Sequence, residues 1–480
     1  MTLDFTPILP FMIVAGAALA LLVLDLFWPV RLKWLTPLLA AASLLAALVV
    51  ELGQANYLRA GLSNMVIIDN FSVFANAIFI CSGIAAIALA YDYIQRTGIN
   101  HGEYYVLMLF SISGMLLMST AADLIIVFLA LELLSVPLYV LTGFARPRLD
   151  SEEAALKYFL LGAFSSGVLL YGIALLYGAT SYTSLHGILS AVSRGTADMP
   201  LVVVGAAFLL VGVAFKGGVV PFHMWAPDVY QGAPTSVTGF MSVGAKAAGF
   251  VALLRIFVVA FPPVAVELTS VMNFLASLTM LIGNIAAIGQ RNIKRMLAYS
   301  GIAQAGYMLM AFVPFGNKAI INDSVASMIF YLAVYAIASF GAWAVVVAVE
   351  QAEGRGLDID DYAGLGRRYP LLGVAMLIFM LSFIGLPPTL GFWGKFYLFR
   401  SVIEGNYIVL ALVGMLASLI SAYYYLRVVV MMFLHDGANI TVRRNWLLSG
   451  LVGVSALAVL LLGLMPGPLF QMAADALLRL

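Results

Sequence analysis

Apolar runs of about 20 residues, the length a helix needs to cross the hydrocarbon core of a bilayer, recur along the whole of this 480-residue chain. About fourteen can be placed, centred near residues 17, 43, 80, 112, 133, 167, 213, 247, 280, 305, 337, 385, 420 and 456. Backbone groups in lipid must be satisfied within the chain, so only helices or a closed barrel can span. The runs lack the alternating apolar/polar pattern of barrel strands. The expectation is therefore an all-α polytopic membrane protein. Composition agrees: 63% of residues are hydrophobic and 10% charged, where a soluble domain has roughly half and a quarter. The first run, residues 8–28, is long enough to span and is read as a retained helix, not a cleaved signal.

Several function classes are excluded. A net charge of +1 with no Lys/Arg run gives no electrostatic footprint for nucleic acid. Cys81 stands alone, which rules out a disulfide framework, a thiolate metal site or an iron–sulfur cluster. His101, His186, His223 and His435 are scattered and pair nowhere as metal or haem ligands. Neither a dinucleotide-binding nor a phosphate-binding glycine motif occurs. No metal or cofactor is expected in this chain.

Basic residues set the orientation. Thirteen of the 24, among them Arg31, Lys33, Arg146, Arg148, Arg291, Lys294 and Arg295 with Arg443 and Arg444, fall in odd-numbered connections; five, including Arg479, fall in even-numbered connections and the C-terminal tail. The odd connections are then cytoplasmic and both termini periplasmic. Connections are mostly arginine, whereas four of the seven lysines lie inside or beside spans.

Those charges are the chemical signal, because one at a helix centre costs about 2.5–3.5 kcal/mol on insertion scales. Glu132 follows an unbroken apolar run; Lys216 precedes Gly217-Gly218 and Pro221; Lys246 lies in the next span; Lys395 closes Gly385-Leu-Pro-Pro-Thr-Leu-Gly-Phe-Trp-Gly-Lys395. Desolvation brings a buried lysine toward titration near neutral pH, which arginine resists. A buried Glu/Lys set can hold and release protons as a neighbouring charge changes. Lys157, near a helix end, reads as a relay group or as a snorkelling or structural ion-pair residue. His223 reads as a relay group or a satisfied core histidine. Arg255 and Arg427, near helix ends, read as anchors.

The Gly/Pro stretches after Lys216 and before Lys395 interrupt spans 7 and 12, and paired interruptions mark transport sites. Their offset of five spans implies units of opposite sense. The expected organisation is helices 1–3 over residues 1–103, two inverted five-helix repeats over 104–260 (helices 4–8) and 261–435 (helices 9–13), and helix 14 over 436–480. Residues 350–370, with Glu350, Glu353 and Asp358, read as a solvated loop of mixed charge.

Phe215-Lys216 together with Pro221-Phe222-His223-Met224-Trp225-Ala226-Pro227-Asp228-Val229-Tyr230-Gln231-Gly232-Ala233-Pro234 resembles the signature of the antiporter-like subunits of respiratory complex I. Asn292-Ile293-Lys294-Arg295-Met296-Leu297-Ala298-Tyr299-Ser300, with Gly306-Tyr307, resembles a second family stretch; Gly301 stands where the family often has Ser. The resemblance covers nearly the whole chain. It implies a proton-translocating subunit of a bacterial inner-membrane NADH–quinone oxidoreductase. Glu132 and Lys216 would be the charge pair of the first half-channel, Lys246 the central residue, Lys395 the distal one, and Lys157 and His223 auxiliary. FMN, iron–sulfur clusters and quinone would sit in partner subunits, and the partners in the membrane would be paralogous antiporter-like and small subunits. A subunit of a Na⁺/H⁺ antiporter or a membrane-bound hydrogenase is the alternative.

Overall fold

The computed structural model describes residues 4–351, 355–437, 440–442 and 445–478. Glu353, Arg443, Arg444 and Arg479 lie outside the described residues. Helices follow one another along the chain: Leu9–Phe27 (α1), Leu35–Gly53 (α2), Asn70–Arg96 (α3), Glu103–Thr120 (α4), Leu124–Thr142 (α5), Leu149–Thr180 (α6), Leu185–Ser193 (α7), Met199–Gly217 (α8), Trp225–Gly232 (α9), Thr235–Phe240 (α10), Lys246–Ala260 (α11), Ala265–Ile288 (α12), Ile293–Phe312 (α13), Ile321–Val349 (α14), Leu365–Arg368 (α15), Pro370–Ile384 (α16), Leu390–Glu404 (α17), Ile408–Leu434 (α18), Trp446–Leu464 (α19) and Gly467–Asp475 (α20). A small antiparallel hairpin of Arg59–Gly61 (β1) and Val66–Ile68 (β2) joins α2 to α3.

The chain is an all-α multi-pass membrane protein. Among the described residues, twelve helical segments are long and apolar enough to cross a bilayer. The other two expected passages are α13, 20 residues that open on Ile293-Lys294-Arg295, and the 15-residue halves α16 and α17 of one interrupted helix. The segment α10–α11 and helix α14 are enclosed almost throughout, whereas α1, α2 and α19 leave many of their large apolar side chains exposed. Apolar surface on that scale is stable only against lipid.

Both breaks start the same way. Gly218 (φ +72°) and Gly385 (φ +89°) occupy the left-handed region just past α8 and α16. Val219 N–H then bonds the Ala214 carbonyl at 3.0 Å, and Leu386 N–H the Leu381 carbonyl at 3.1 Å. These are the six-residue closures that end a helix at a glycine, with proline following to prevent its resumption. The halves pack tightly: a β-carbon at Gly391 would stand 1.8 Å from the Ser382 carbonyl oxygen. Gly391→Ala is expected to push α17 off α16 and cost about 1–3 kcal/mol, read as a lowered unfolding midpoint in detergent.

Arg255 corrects an expectation. It is not an interfacial anchor but is 2% exposed, bonded to Asp69 at 2.6 and 2.9 Å and to the Ser119 carbonyl at 2.7 and 3.1 Å. Asp69 also caps α3 by accepting from Ser72 N–H at 2.8 Å. The interaction therefore ties α11, α4 and the start of α3 together. Arg427 does serve a helix end: it donates to the Ile288 carbonyl at 2.9 Å and to that of Gln290, closing α12, where a cation also meets the negative end of the helix dipole.

Candidate functional site

Lysine is almost never fully buried unless paired, yet Lys216, Lys246 and Lys395 are 3%, 4% and 4% exposed. No carboxylate oxygen lies within 4.0 Å of these three amines among the described residues. Aromatic faces, carbonyls and hydroxyls take that place.

Lys216 occupies the last turn of α8 before the first break. Its ammonium nitrogen is 5.2 Å from the ring centres of Tyr139 and Tyr158 and 5.8 Å from that of Phe215, so ring faces supply part of the lost hydration. It donates to the Tyr139 hydroxyl at 3.5 Å. Behind this cage Tyr158 stacks on Trp225 at 4.6 Å, and the indole N–H bonds the Phe215 carbonyl at 2.9 Å. The break is thus closed by an aromatic side chain rather than by the lysine.

The expected Glu132–Lys216 pair is not a direct contact. Glu132, Ser135 and Tyr139 share one face of α5 at positions i, i+3 and i+7. The Glu132 charge acts on both Tyr139 and Lys216, and one of its oxygens is buried without a partner. Tyr139 is therefore the group that meets Lys216 from the α5 side, and sequence reasoning passed it over because tyrosine counts as apolar filling in a span.

Lys246 is the first residue after a π-helical turn, Met241–Ala245, that separates α10 from α11. Single π turns interrupt helices chiefly at functional positions. Its amine donates to the Gly301 carbonyl and lies 5.2 Å from the Tyr335 ring centre. A side chain at Gly301 would begin 2.7 Å from that nitrogen, so the glycine leaves the space the ammonium uses.

Lys395, on α17, reaches back across the second break. It donates to the Ile384 carbonyl at 3.0 Å and to Ser418 Oγ at 2.6 Å, and stands 4.4 Å from the Tyr307 ring centre. Ile384 ends α16, so the lysine satisfies a carbonyl that the interruption leaves without an intrahelical donor. Here the amine also lines a cavity of about 710 Å³ with Phe392, Phe396, Arg400, Glu404 and Ser418.

Between Lys246 and Lys395 the interior is polar but uncharged. Ser300 and Tyr425 share a hydroxyl–hydroxyl bond; Gln304 donates to Tyr425 at 3.2 Å and to the Phe383 carbonyl at 3.2 Å, and accepts from Tyr331. Tyr424 donates to Asn284 at 2.8 Å. Hydroxyls both donate and accept, so this row can pass a proton without holding a charge.

The auxiliary candidates lie elsewhere. Lys157 is 43% exposed on α6 and pairs with Glu153 at 2.8 Å and Asp228 at 2.9 Å; Asp228 pairs in turn with Arg295 at 2.6 Å. That network ties α6, α9 and α13 at the surface, and its neighbour Tyr158, not Lys157, faces Lys216. His223 sits half-buried in the first break with a buried, unpartnered Nδ1 and no hydrogen bond to Lys216.

Sequence and structure comparisons place this arrangement. A family model described as the transmembrane region of the NADH:quinone oxidoreductase/Mrp antiporter matches residues 121–421. The chain is 42% identical to the NADH-quinone oxidoreductase subunit N of Trichlorobacter lovleyi, over 99% of this chain and 97% of that one. It is likewise 42% identical to subunit N of Chloroflexus aggregans, over 99% and 98%. A chain of respiratory complex I from Thermus thermophilus superposes with a TM-score of 0.83 at 33% identity, covering 97% of this chain and 100% of that one. A chain of the Mrp complex from a Dietzia species shares the fold, with a TM-score of 0.85 at 21% identity over 98% and 96%. With Glu132, Lys216, Lys246 and Lys395 all inside the matched region, the chain belongs to the NADH:quinone oxidoreductase/Mrp antiporter family of transmembrane subunits.

Proposed function

We propose that this chain is a proton-translocating membrane subunit of a bacterial inner-membrane NADH–quinone oxidoreductase, with no redox centre of its own. The observation that carries the reading is the set of three buried lysines beside two interrupted helices, each without a bound carboxylate among the described residues, with hydroxyl and amide groups lying between Lys246 and Lys395. The relatives' shared name supports the same assignment. FMN, iron–sulfur clusters and quinone belong to partner subunits, and paralogous antiporter-like and small subunits are the neighbours in the membrane. The basic-rich connections face the cytoplasm and both termini the periplasm, with residues 104–260 and 261–435 as inverted repeats.

In this mechanism quinone reduction elsewhere shifts charge at one end of the polar axis. Movement of Glu132 toward or away from Tyr139 changes the proton affinity of Lys216, and one pKa unit needs only about 1.4 kcal/mol. A proton leaving Lys216 passes to Lys246, then along Ser300, Tyr425, Gln304 and Tyr331 toward Lys395. Tyr139→Phe keeps the ring and removes one hydrogen bond, a contribution of about 0.5–1.5 kcal/mol. Proton translocation is expected to slow by up to about tenfold in an assembled complex. Wild-type translocation rates in sealed vesicles would show that Glu132 reaches Lys216 without the phenol.

The assignment is tested by recovering the tagged chain in mild detergent, identifying its partners and assaying NADH–quinone activity. Co-purification with flavin and iron–sulfur subunits is expected. Recovery with hydrophobic antiporter subunits alone, without NADH activity, would make it a cation/proton antiporter subunit.

A further inference from the structure

Two charges that the sequence places in solvated connections are both buried in the fold. Lys294, at the start of α13, is 2% exposed, and Glu350, just past α14, is 3% exposed. The Lys294 amine donates to the Ala233 carbonyl at 2.6 Å. Glu350 Oε1 accepts from the Tyr93 hydroxyl at a long 3.4 Å, and its Oε2 is buried with no partner. The two charges act on each other, yet no nitrogen–oxygen distance within 4.0 Å joins them. Tyr362, also fully enclosed, feels the Glu350 charge and leaves its own hydroxyl unpartnered.

A brace looks different in this protein. Asp69 and Arg255 bond bidentately, and neither carboxylate oxygen is left over. Around Glu350 the short bonds are to the backbone: Arg96 holds the Glu350 and Val347 carbonyls at 2.6 and 2.5 Å. The turn is fixed through its backbone, while the carboxylate itself holds only the long Tyr93 bond and one unpartnered oxygen. An enclosed carboxylate oxygen without a donor is costly to keep, more so than a neutral group of the same shape.

The position continues toward the relay. Tyr93, whose hydroxyl touches Glu350, accepts from Thr235 N–H at 3.2 Å at the foot of α10. Ala233, which holds Lys294, lies one turn beyond Tyr230; Tyr230 lies near enough for the charge of Tyr335 to act on it, and the Tyr335 ring faces Lys246. On the other side Glu350 adjoins the part-exposed Gln351 at the end of the protein rich in Arg148, Arg291 and Arg295.

We propose that Glu350 is a proton-loading site for Lys246, with Lys294 as its positioning residue. The Glu350 carboxylate takes a proton from water at the basic-rich face. The resulting carboxyl gives it up through the Tyr230–Tyr335 side to the neutral amine of Lys246, which becomes an ammonium as the carboxylate is restored. This rests on the proton-translocating reading above.

The test is proton translocation per NADH oxidised by the whole complex in sealed vesicles. Glu350→Gln, Glu350→Asp and the charge-balanced double variant Glu350→Gln with Lys294→Gln are compared with Lys216→Met. The expected result is that Glu350→Gln assembles and loses this chain's share of the protons, and that Glu350→Asp recovers part of it. An assembled Glu350→Gln or double variant with the wild-type ratio and rate, beside a Lys216→Met that loses this chain's share of the protons, would overturn the proposal. Failure of both to assemble would also overturn it and leave the pair a structural role. A Lys216→Met complex that pumps normally would instead remove the relay reading itself.

Discussion

A complex carrying Lys216→Met is expected to assemble, to pass electrons from NADH to a soluble acceptor at the wild-type rate, and to move no protons through this chain. Methionine has nearly the reach of lysine, and its thioether is favourable beside the rings of Tyr139, Tyr158 and Phe215 that surround the position. Removing a charge from mid-span recovers about 2.5–3.5 kcal/mol on insertion scales, so assembly should not suffer. Lys216→Arg sharpens the test. Arginine keeps the positive charge but does not release its proton under any working condition. If the site carries protons, both variants lose translocation. If the site needs only a fixed positive charge for Glu132, arginine restores it. Quench of a pH-sensitive dye in sealed vesicles, set against NADH consumption, separates the two.

The second large effect is on stability. Arg255→Met leaves Asp69, whose side chain is 0% exposed, without its partner, and breaking a buried pair by removing one partner costs about 3–5 kcal/mol. Little assembled protein is expected. Adding Asp69→Asn removes the stranded charge and retains an acceptor for the α3 cap, so the double variant should recover most of the loss. A double variant as unstable as Arg255→Met alone, by unfolding midpoint in detergent, would show that the guanidinium bonds to the Ser119 carbonyl carry the effect.

The parts of this protein legible in its sequence are those whose cost is local. A lysine inside an apolar run is conspicuous wherever it packs, and Lys216, Lys246 and Lys395 stand where the runs put them. Gly-Pro clusters end helices by their own backbone geometry, so both breaks could be located. What escaped detection depends on distant partners. Asp69 lies 186 residues from Arg255, which made the arginine look like an interfacial anchor. Lys294 and Glu350 sit at helix ends that tertiary packing covers, and nothing in their neighbours distinguishes a covered end from a wet one. Tyr139, Tyr331, Tyr335 and Tyr425 carry the polar path but merge into the apolar background of their spans. Lys157 carried two readings in the sequence, relay group or ion-pair residue, and only packing shows that its partners are Glu153 and Asp228.

A continuous proton path through this chain is tested most directly by the proton-to-electron ratio of the purified complex in sealed vesicles with Lys246→Met. This position lies between the aromatic cage of Lys216 and the hydroxyl row leading to Lys395, and its substitution leaves both ends intact. The expected result is a ratio lowered by this chain's whole share of the protons, with electron transfer from NADH to a soluble acceptor unchanged. A wild-type ratio at the wild-type rate of quinone reduction would contradict the path.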